Sequence, residues 1–176
     1  MGRVFLNVGS NTERERHLCI GLDALAATHG ELRLSSVYES GAVGFNGAPF
    51  LNLAVAIETR MPVGELHRWL RELEYAHGRP ADANRFSSRT LDIDILTYDD
   101  RVGLVDGVEL PRPEILENAF VLGPLAELAP GVLHPVAART YADLWADYDR
   151  ARQPLQAVDF SWGERCISRA DPTGIS

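Results

Sequence analysis

The order of apolar periodicities along the chain constrains its fold more than any other feature. Four segments alternate apolar and polar residues with a period of two, which is typical of half-buried strands. Two segments with apolar residues three and four positions apart, typical of amphipathic helices, follow the first and third strands. The strands are expected near residues 4–8, 32–38, 50–58 and 90–98, and the helices near 12–29 and 62–77. This β-α-β-β-α-β order predicts an α+β fold with a four-stranded antiparallel sheet and both helices on one face.

Both predicted helices carry end signals. Thr12 and Glu15 have the spacing of a capping box at the start of the first helix, and Gly30 is placed to end it. Pro62 suits the first turn of the second helix, which Gly78 ends.

The last third of the chain adds elements to this unit. Residues 102–136 predict an extra hairpin, a short helix near 114–118 and an apolar stretch. Residues 151–176 are polar and aperiodic. We therefore expect a single domain over residues 1–150 and a C-terminal tail, packed on the domain or disordered.

The charge composition excludes several function classes. The 176 residues carry a net charge of −8, which argues against a general nucleic-acid binder or a polybasic membrane anchor. All 17 basic residues are arginine, so a Walker-type phosphate loop, a protein-kinase lysine and a Schiff base are excluded. Phosphate must be handled by guanidinium groups or backbone amides.

The cysteines and the apolar segments indicate where in the cell the protein is expected to be located. Cys19 and Cys166 match neither a disulfide framework nor zinc-ligand spacing, so both are expected to be free thiols. Strand-like sequence begins near Arg3, which leaves no room for a signal peptide. The longest apolar stretch, residues 120–129, is broken by glycine, proline and glutamate. The expected location is cytoplasmic.

Asp92 and Asp94 are the strongest candidate ligands in the sequence. In a strand they share one face, about 6.5–7 Å apart at Cα, while Ile93 and Ile95 point the other way. They either line a solvent-facing sheet surface or bind a divalent metal. Two like charges on one strand face, with no lysine to pair with them, favour the metal, and oxygen ligands favour magnesium.

Arg79, Arg85 and Arg89 precede this strand closely, with only Asp82 to balance them. By itself such a run is equally consistent with a solvated charged surface. Beside a magnesium carboxylate pair, guanidinium groups suit the transfer of a phosphate-derived group.

Phe50 and Asn52 begin the third strand, directly after a glycine-rich segment expected to be a mobile loop. A ring beside an amide suits a flat heteroaromatic ligand, through stacking and paired hydrogen bonds. Core and turn roles are the common alternative for these two residue types.

Several motifs together resemble one family, over residues 4–135. They are Gly9-Ser10-Asn11, Phe50-Leu51-Asn52, Glu74-x-x-x-Gly78-Arg79, Arg89-Thr90-Leu91-Asp92-Ile93-Asp94, Leu110-Pro111 and the apolar stretch that begins at Phe120. The chain thus resembles the hydroxymethyldihydropterin pyrophosphokinases of folate biosynthesis. The resemblance implies a ferredoxin-like sandwich that moves pyrophosphate from ATP to the hydroxymethyl group of a reduced pterin, releases AMP and uses two magnesium ions.

The resemblance also implies residue roles. The catalytic residues would be Arg79, Arg89, Asp92 and Asp94, of which both aspartates bind the metals. The pterin would contact Phe50, Asn52 and Phe120, together with Val43 and Gly44 of the glycine-rich loop. The nucleotide would contact Glu74, Arg79, Arg85, Phe86, Arg89, Ile95 and Arg112.

This chain departs from the family pattern at four places. Pro111-Arg112-Pro113 stands where relatives commonly have Pro-His-Pro or Pro-His-Tyr, so Arg112 would replace a histidine that touches the nucleotide phosphate. Asn118 stands where an arginine is frequent, and Phe86 where a tryptophan is frequent. The start of the pterin loop is Ser40-Gly41-Ala42-Val43-Gly44 rather than proline-rich.

Three alternatives to this function stay open at the sequence level. They are a diphosphotransferase acting on a modified pterin, a non-catalytic ferredoxin-like sensor of a pterin or nucleotide, and a nucleic-acid-binding sheet, which the acidic charge disfavours. The expected partners are ATP and a reduced pterin, with no nucleic acid and no membrane. The expected state is a monomer or a weak homodimer.

Overall fold

A computed structural model describes the chain over residues 1–41, 49–78 and 91–170. It is a mixed structure of helices and an antiparallel sheet, as the sequence predicts. The strands are β1 (Gly2–Ser10), β2 (Arg33–Leu34), β3 (Val37–Ser40), β4 (Phe50–Thr59), β5 (Asp92–Tyr98), β6 (Gly103–Val105), β7 (Val108–Leu110), β8 (Gln156–Val158), β9 (Phe160–Trp162) and β10 (Arg165–Ser168). The helices are α1 (Arg14–His29), α2 (Val63–Ala76), α3 (Glu114–Glu117), α4 (Ala119–Leu128) and α5 (Tyr141–Asp147).

The main sheet contains six strands in the described part of the chain. They run in the order β5-β1-β4-β3-β8, β2 pairs separately with β4, and every pairing is antiparallel. The predicted count of four is therefore too low. The second predicted strand is divided into β2 and β3 at Ser35. There the Oγ atom of Ser35, rather than a backbone carbonyl of the neighbouring strand, accepts the N–H of Ala54 at 2.8 Å. The other additional strand, β8, comes from the C-terminal segment.

Helices cover both faces of this sheet. Leu18 and Leu22 of α1 and Leu66 and Leu70 of α2 are buried in one cluster with the apolar face of β1, β4 and β5. A second cluster packs α4 and α5 around Ala54 and Leu96 on the opposite face. The prediction that the two helices α1 and α2 share one face is thus correct, and the additional helices α4 and α5 cover the other face.

The segment after β5 forms the elements predicted for it. β6 and β7 pair as a hairpin, and α3 and α4 follow. No helix within the described ranges is long and apolar enough to span a membrane.

The first helix begins differently from the prediction. Glu13 adopts a left-handed conformation (φ 44°), the helix starts at Arg14, and no side chain caps it. The imidazole Nδ1 of His17 instead lies 2.7 Å from the carbonyl oxygen of Thr12 and 3.1 Å from that of Glu13. The predicted capping box of Thr12 and Glu15 is therefore wrong, because Glu13 rather than Thr12 precedes the helix and the N–H of Thr12 donates to Oγ of Ser10.

The polar C-terminal segment forms three strands. β8 pairs with β3 along its free edge, and β9 and β10 form a hairpin beside it. Ser168 closes this arrangement, since its Oγ accepts the N–H of Val37 (2.8 Å) and donates to the carbonyl of Val158 (2.6 Å). β8 and Ser168 thus pack against the strand that leads to the predicted pterin loop. Residues 171–176 lie outside the described part of the chain.

Candidate active site

The two predicted metal ligands lie on the sheet face that α4 covers in part. Ile93 and Ile95 are buried against α1 and α2, so the alternation along β5 places Asp92 and Asp94 on the opposite face. Both aspartates are half-buried, and the side chain of Asp94 is 20% exposed. This partial exposure leaves the carboxylate pair accessible to ligands.

The donor set fits magnesium. Across residues 1–41, 49–78 and 91–170, no group of three or more His, Cys, Asp or Glu side chains is arranged to hold a metal ion. Two carboxylates are enough oxygen ligands for magnesium, which commonly binds through one or two carboxylates while substrate phosphates and waters complete its coordination.

A row of facing residues crosses the sheet from this carboxylate pair. Asp92 of β5 faces Gly9 of β1, and Gly9 faces Asn52 of β4. With strands about 4.8 Å apart, the Cα atoms of Asp92 and Asn52 are separated by roughly 10 Å. A Cβ atom on residue 9 would overlap the Oδ1 atom of Asn52. Glycine at this position therefore leaves room for the amide to lie across β1 toward the carboxylates.

Asn52 carries an unsatisfied donor. The residue is 3% exposed, and its Nδ2 atom is buried with no hydrogen-bond partner among the described residues. An unpaired buried donor is unfavourable by about 1–3 kcal/mol unless a ligand supplies the acceptor.

Ser40 is a second unsatisfied group on the same sheet face, and the sequence reasoning treated it only as the start of a loop. Its Oγ atom is also buried with no partner in the described part of the chain. Ser40 faces Phe50 in the pairing of β3 with β4, next to the pair formed by Tyr38 and Asn52. A polar residue at the end of a strand is a weak signal, so sequence alone did not single it out.

The aromatic candidates lie on β4 and α4. Phe50 and Phe120 are both half-buried. The carbonyl oxygen of Phe120 accepts a hydrogen bond from Nδ2 of Asn7 at 2.9 Å. Asn7 is 5% exposed and faces Asp94 across the pairing of β1 with β5. It thus ties the first turn of α4 to the strand beside the carboxylates. Sequence reasoning missed this role, because a polar residue between Leu6 and Val8 is also what the solvent-facing side of a half-buried strand shows.

Arg112 lies beside the carboxylate pair. Its backbone N–H donates to the carbonyl of Leu96 at 2.8 Å, which fixes it next to β5. One guanidinium nitrogen, Nη2, lies 3.6 Å from Oδ1 of Asp94, and Nε forms an ion pair with Glu114. Burial lowers the pKa of Arg112, but the charges of Asp94, Glu114 and Asp92 outweigh this effect, so the pKa is raised.

Glu74 acts on β5 from the other side of the sheet. It is fully buried, and Oε2 accepts the backbone N–H of Ile93, the residue between the two aspartates, at 2.7 Å. Oε1 accepts a hydrogen bond from Arg71 at 2.9 Å. These contacts give Glu74 a positioning role, and its predicted contact with a nucleotide stays a prediction.

The Ile95 side chain is 3% exposed in the core, so a nucleotide contact there would involve its backbone.

The remaining site candidates lie outside the described residues. They are Val43, Gly44, Arg79, Arg85, Phe86 and Arg89.

Comparison with known proteins identifies a family. The sequence profile described as 7,8-dihydro-6-hydroxymethylpterin-pyrophosphokinase (HPPK) matches residues 5–130. A protein of Aquifex aeolicus named 2-amino-4-hydroxy-6-hydroxymethyldihydropteridine pyrophosphokinase is 33% identical over 138 residues, covering 77% of this chain and 86% of the relative. A Bacillus subtilis protein of the same name is 35% identical over 129 residues, covering 70% and 76%.

Solved structures match at the level of the fold. Plasmodium falciparum HPPK-DHPS, solved as the wild type with pterin and p-hydroxybenzoate, superposes with a TM-score of 0.69 at 14% identity. The match covers 96% of this chain and 48% of that one. A triple mutant of the same protein with SDX-DHP gives a TM-score of 0.71 at 14% identity, covering 96% and 46%. The chain therefore spans about half the length of these solved chains.

Proposed function

Because the chain belongs to the 7,8-dihydro-6-hydroxymethylpterin-pyrophosphokinase family, we propose that it transfers pyrophosphate from ATP to 6-hydroxymethyl-7,8-dihydropterin. The hydroxymethyl oxygen forms a bond with the β-phosphorus, and the bond from that phosphorus to the oxygen bridging it to the α-phosphorus breaks. AMP leaves with the bridging oxygen, and the hydroxyl proton is released. The observation that carries this proposal is the row of Asp92, Gly9 and Asn52 on one sheet face. The carboxylates form the anionic end of this row, and the Asn52 side chain forms its amide end.

The amide end recognises the pterin. Nδ2 of Asn52 donates to a ring acceptor of the pterin, and Oδ1 accepts from a ring N–H or amino group. Ser40 provides a further hydroxyl on the same face. Phe50 and Phe120 supply apolar ring surface on which the flat heterocycle stacks. A bound pterin would thereby satisfy the buried donors left unpaired in the protein alone.

The carboxylates at the anionic end bind the triphosphate of ATP through metal ions. Asp92 and Asp94 would hold two magnesium ions, which when bound neutralise the phosphate oxygens. Asn7 and Glu74 fix the elements on either side of these ligands. Arg112 holds a positive charge beside the carboxylates. Arg79 and Arg89 are proposed to act on the phosphates. Arg85 and Phe86 are proposed to contact the nucleotide.

The finer description of the fold belongs to the same proposal. The order β5-β1-β4-β3, with α1 and α2 on one face, is the arrangement expected of a ferredoxin-like unit, to which β2 and β8 are additions. We infer a single domain over residues 1–150 with the C-terminal strands attached to it. We further propose a cytoplasmic monomer or weak homodimer that binds no nucleic acid.

The test is to combine the protein with ATP, magnesium and the reduced hydroxymethylpterin and to measure AMP by chromatography. We expect AMP and the pterin diphosphate in equal amounts, with AMP absent when the pterin is omitted. Tight pterin binding without AMP release would contradict the proposal and favour a sensor. AMP release with a differently substituted pterin alone would favour the related diphosphotransferase.

A further inference from the structure

Arg112 lies between two carboxylates that differ in their expected roles. Its Nε atom is paired with Glu114, whereas its Nη2 atom is 3.6 Å from Asp94. The second distance lies within ion-pair range but beyond the 2.7–3.2 Å of a good hydrogen bond, so the contact with Asp94 is looser. Glu114 is thus the nearer ion-pair partner of the guanidinium, and the contact with Asp94 is the one more readily given up.

The backbone restricts where this guanidinium can go. The N–H of Arg112 is bonded to the carbonyl of Leu96, two positions beyond Asp94 on the same strand. The side chain is 33% exposed, and that of Asp94 is 20% exposed, so neither charge is deeply buried. Arg112 can therefore leave Asp94 without leaving Glu114 and without exposing an unpaired charge to an apolar core.

We propose that Arg112, oriented by Glu114, is a resident counter-ion of Asp94 and competes with divalent cations for it. This inference rests on the proposed function, since it assigns Asp94 to a metal. The guanidinium offsets part of the negative charge of Asp94 before the cation arrives, and it gives up Asp94 when the cation binds. Glu114 is a positioning residue that limits how closely Arg112 approaches Asp94, so it keeps the carboxylate accessible to the cation.

The experiment measures binding of Mn2+ and Mg2+ by titration calorimetry in the absence of nucleotide and pterin. Arg112→Ala is expected to tighten cation binding about fivefold, the scale of a partly exposed ion pair of about 1 kcal/mol. Glu114→Gln is expected to weaken cation binding about two- to threefold, because the freed guanidinium moves closer to Asp94. Arg139→Ala is the matched control, since it removes the same charge from a different ion pair, with Asp147.

A variant that carries both Arg112→Ala and Glu114→Gln distinguishes a positioning role of Glu114 from a direct effect of its charge on cation binding. If Glu114 acts through Arg112, Glu114→Gln has no effect on cation affinity once residue 112 is alanine. An equal loss of affinity in both backgrounds would overturn the role of Glu114. Unchanged or weaker cation binding by Arg112→Ala, in a protein whose wild type releases AMP, would overturn the competition but leave the proposed function standing. Absence of both cation binding and AMP release in the wild type would overturn the proposed function and this inference with it.

Discussion

Gly9 and Asn52 face each other across β1 and β4 so closely that a Cβ atom on residue 9 would overlap the Asn52 amide. The overlapping atom is the end of a side chain, so the backbone does not have to move to relieve the conflict. Asn52 would instead rotate away from β1. Because the Nδ2 atom of Asn52 has no partner in the described structure, this rotation breaks no hydrogen bond of that atom.

Gly9→Ala is therefore expected to weaken pterin binding by about ten- to a hundredfold, the range expected for a displaced hydrogen-bonding amide. The melting temperature should change little. Pterin affinity measured by fluorescence or calorimetry, together with thermal denaturation, checks this. Gly131→Ala is the matched control, because a Cβ atom there meets nothing within 4 Å. Unchanged pterin affinity in Gly9→Ala would show that the Asn52 amide does not bind the pterin.

Asp94→Asn is expected to lower the rate of AMP release at least about a hundredfold, since metal ions contribute several kcal/mol of charge stabilisation in such reactions. The fold should persist, because the side chain is partly exposed and Arg112 keeps its pairing with Glu114. Rate assays and circular dichroism check both points, with the exposed Asp100→Asn as control. A folded variant with full activity would show that Asp94 is not a metal ligand.

The strands and their facing residues follow from the sequence because alternation of apolar residues is a local property. Leu51, Leu53, Val55 and Ile57 identify one buried face of β4 regardless of what packs on it, and the structure buries all four. The face of Asp92 and Asp94 follows from the same argument. Local periodicity therefore accounts for the strand predictions that the structure confirms.

The elements that sequence did not predict depend on distant partners. β8 is a strand because it pairs with the free edge of β3, and Ser168 holds it there through its hydrogen bond with Val37. Neither contact can be predicted from the residues of a short polar segment. The same is true of Asn7, whose partner Phe120 is 113 positions away. The predicted capping box does not form because the N–H of Thr12 donates to Oγ of Ser10 and Glu13, in a left-handed conformation, precedes the helix.

Arg112→Ala is expected to weaken ATP binding about tenfold, because a charge-assisted contact to a phosphate is worth roughly 1.5–3 kcal/mol. The effect on nucleotide affinity is opposite in sign to the expected effect on free divalent cations. Calorimetry with a non-hydrolysable ATP analogue and magnesium checks this, with Arg139→Ala as control. Unchanged nucleotide affinity would show that Arg112 does not replace the histidine common in relatives.

Glu74→Gln distinguishes support of β5 from contact with the nucleotide. The carboxylate is fully buried and accepts hydrogen bonds from Ile93 and Arg71, so the amide must turn its NH2 group toward a donor. We expect the free energy of unfolding to fall by about 2–3 kcal/mol and the melting temperature by roughly 5–10 °C.

Thermal denaturation and nucleotide titration of the same samples provide the measurement, with Glu72→Gln on the exposed side of the same helix as control. Below its melting temperature, Glu74→Gln should keep its ATP affinity within about threefold, because Ile93 returns to its place in the sheet whenever the chain is folded. A variant that melts like the wild type and loses ATP affinity tenfold would instead make Glu74 a nucleotide ligand. The hydrogen bond to Ile93 favours the first result, since it holds the one residue that separates Asp92 from Asp94.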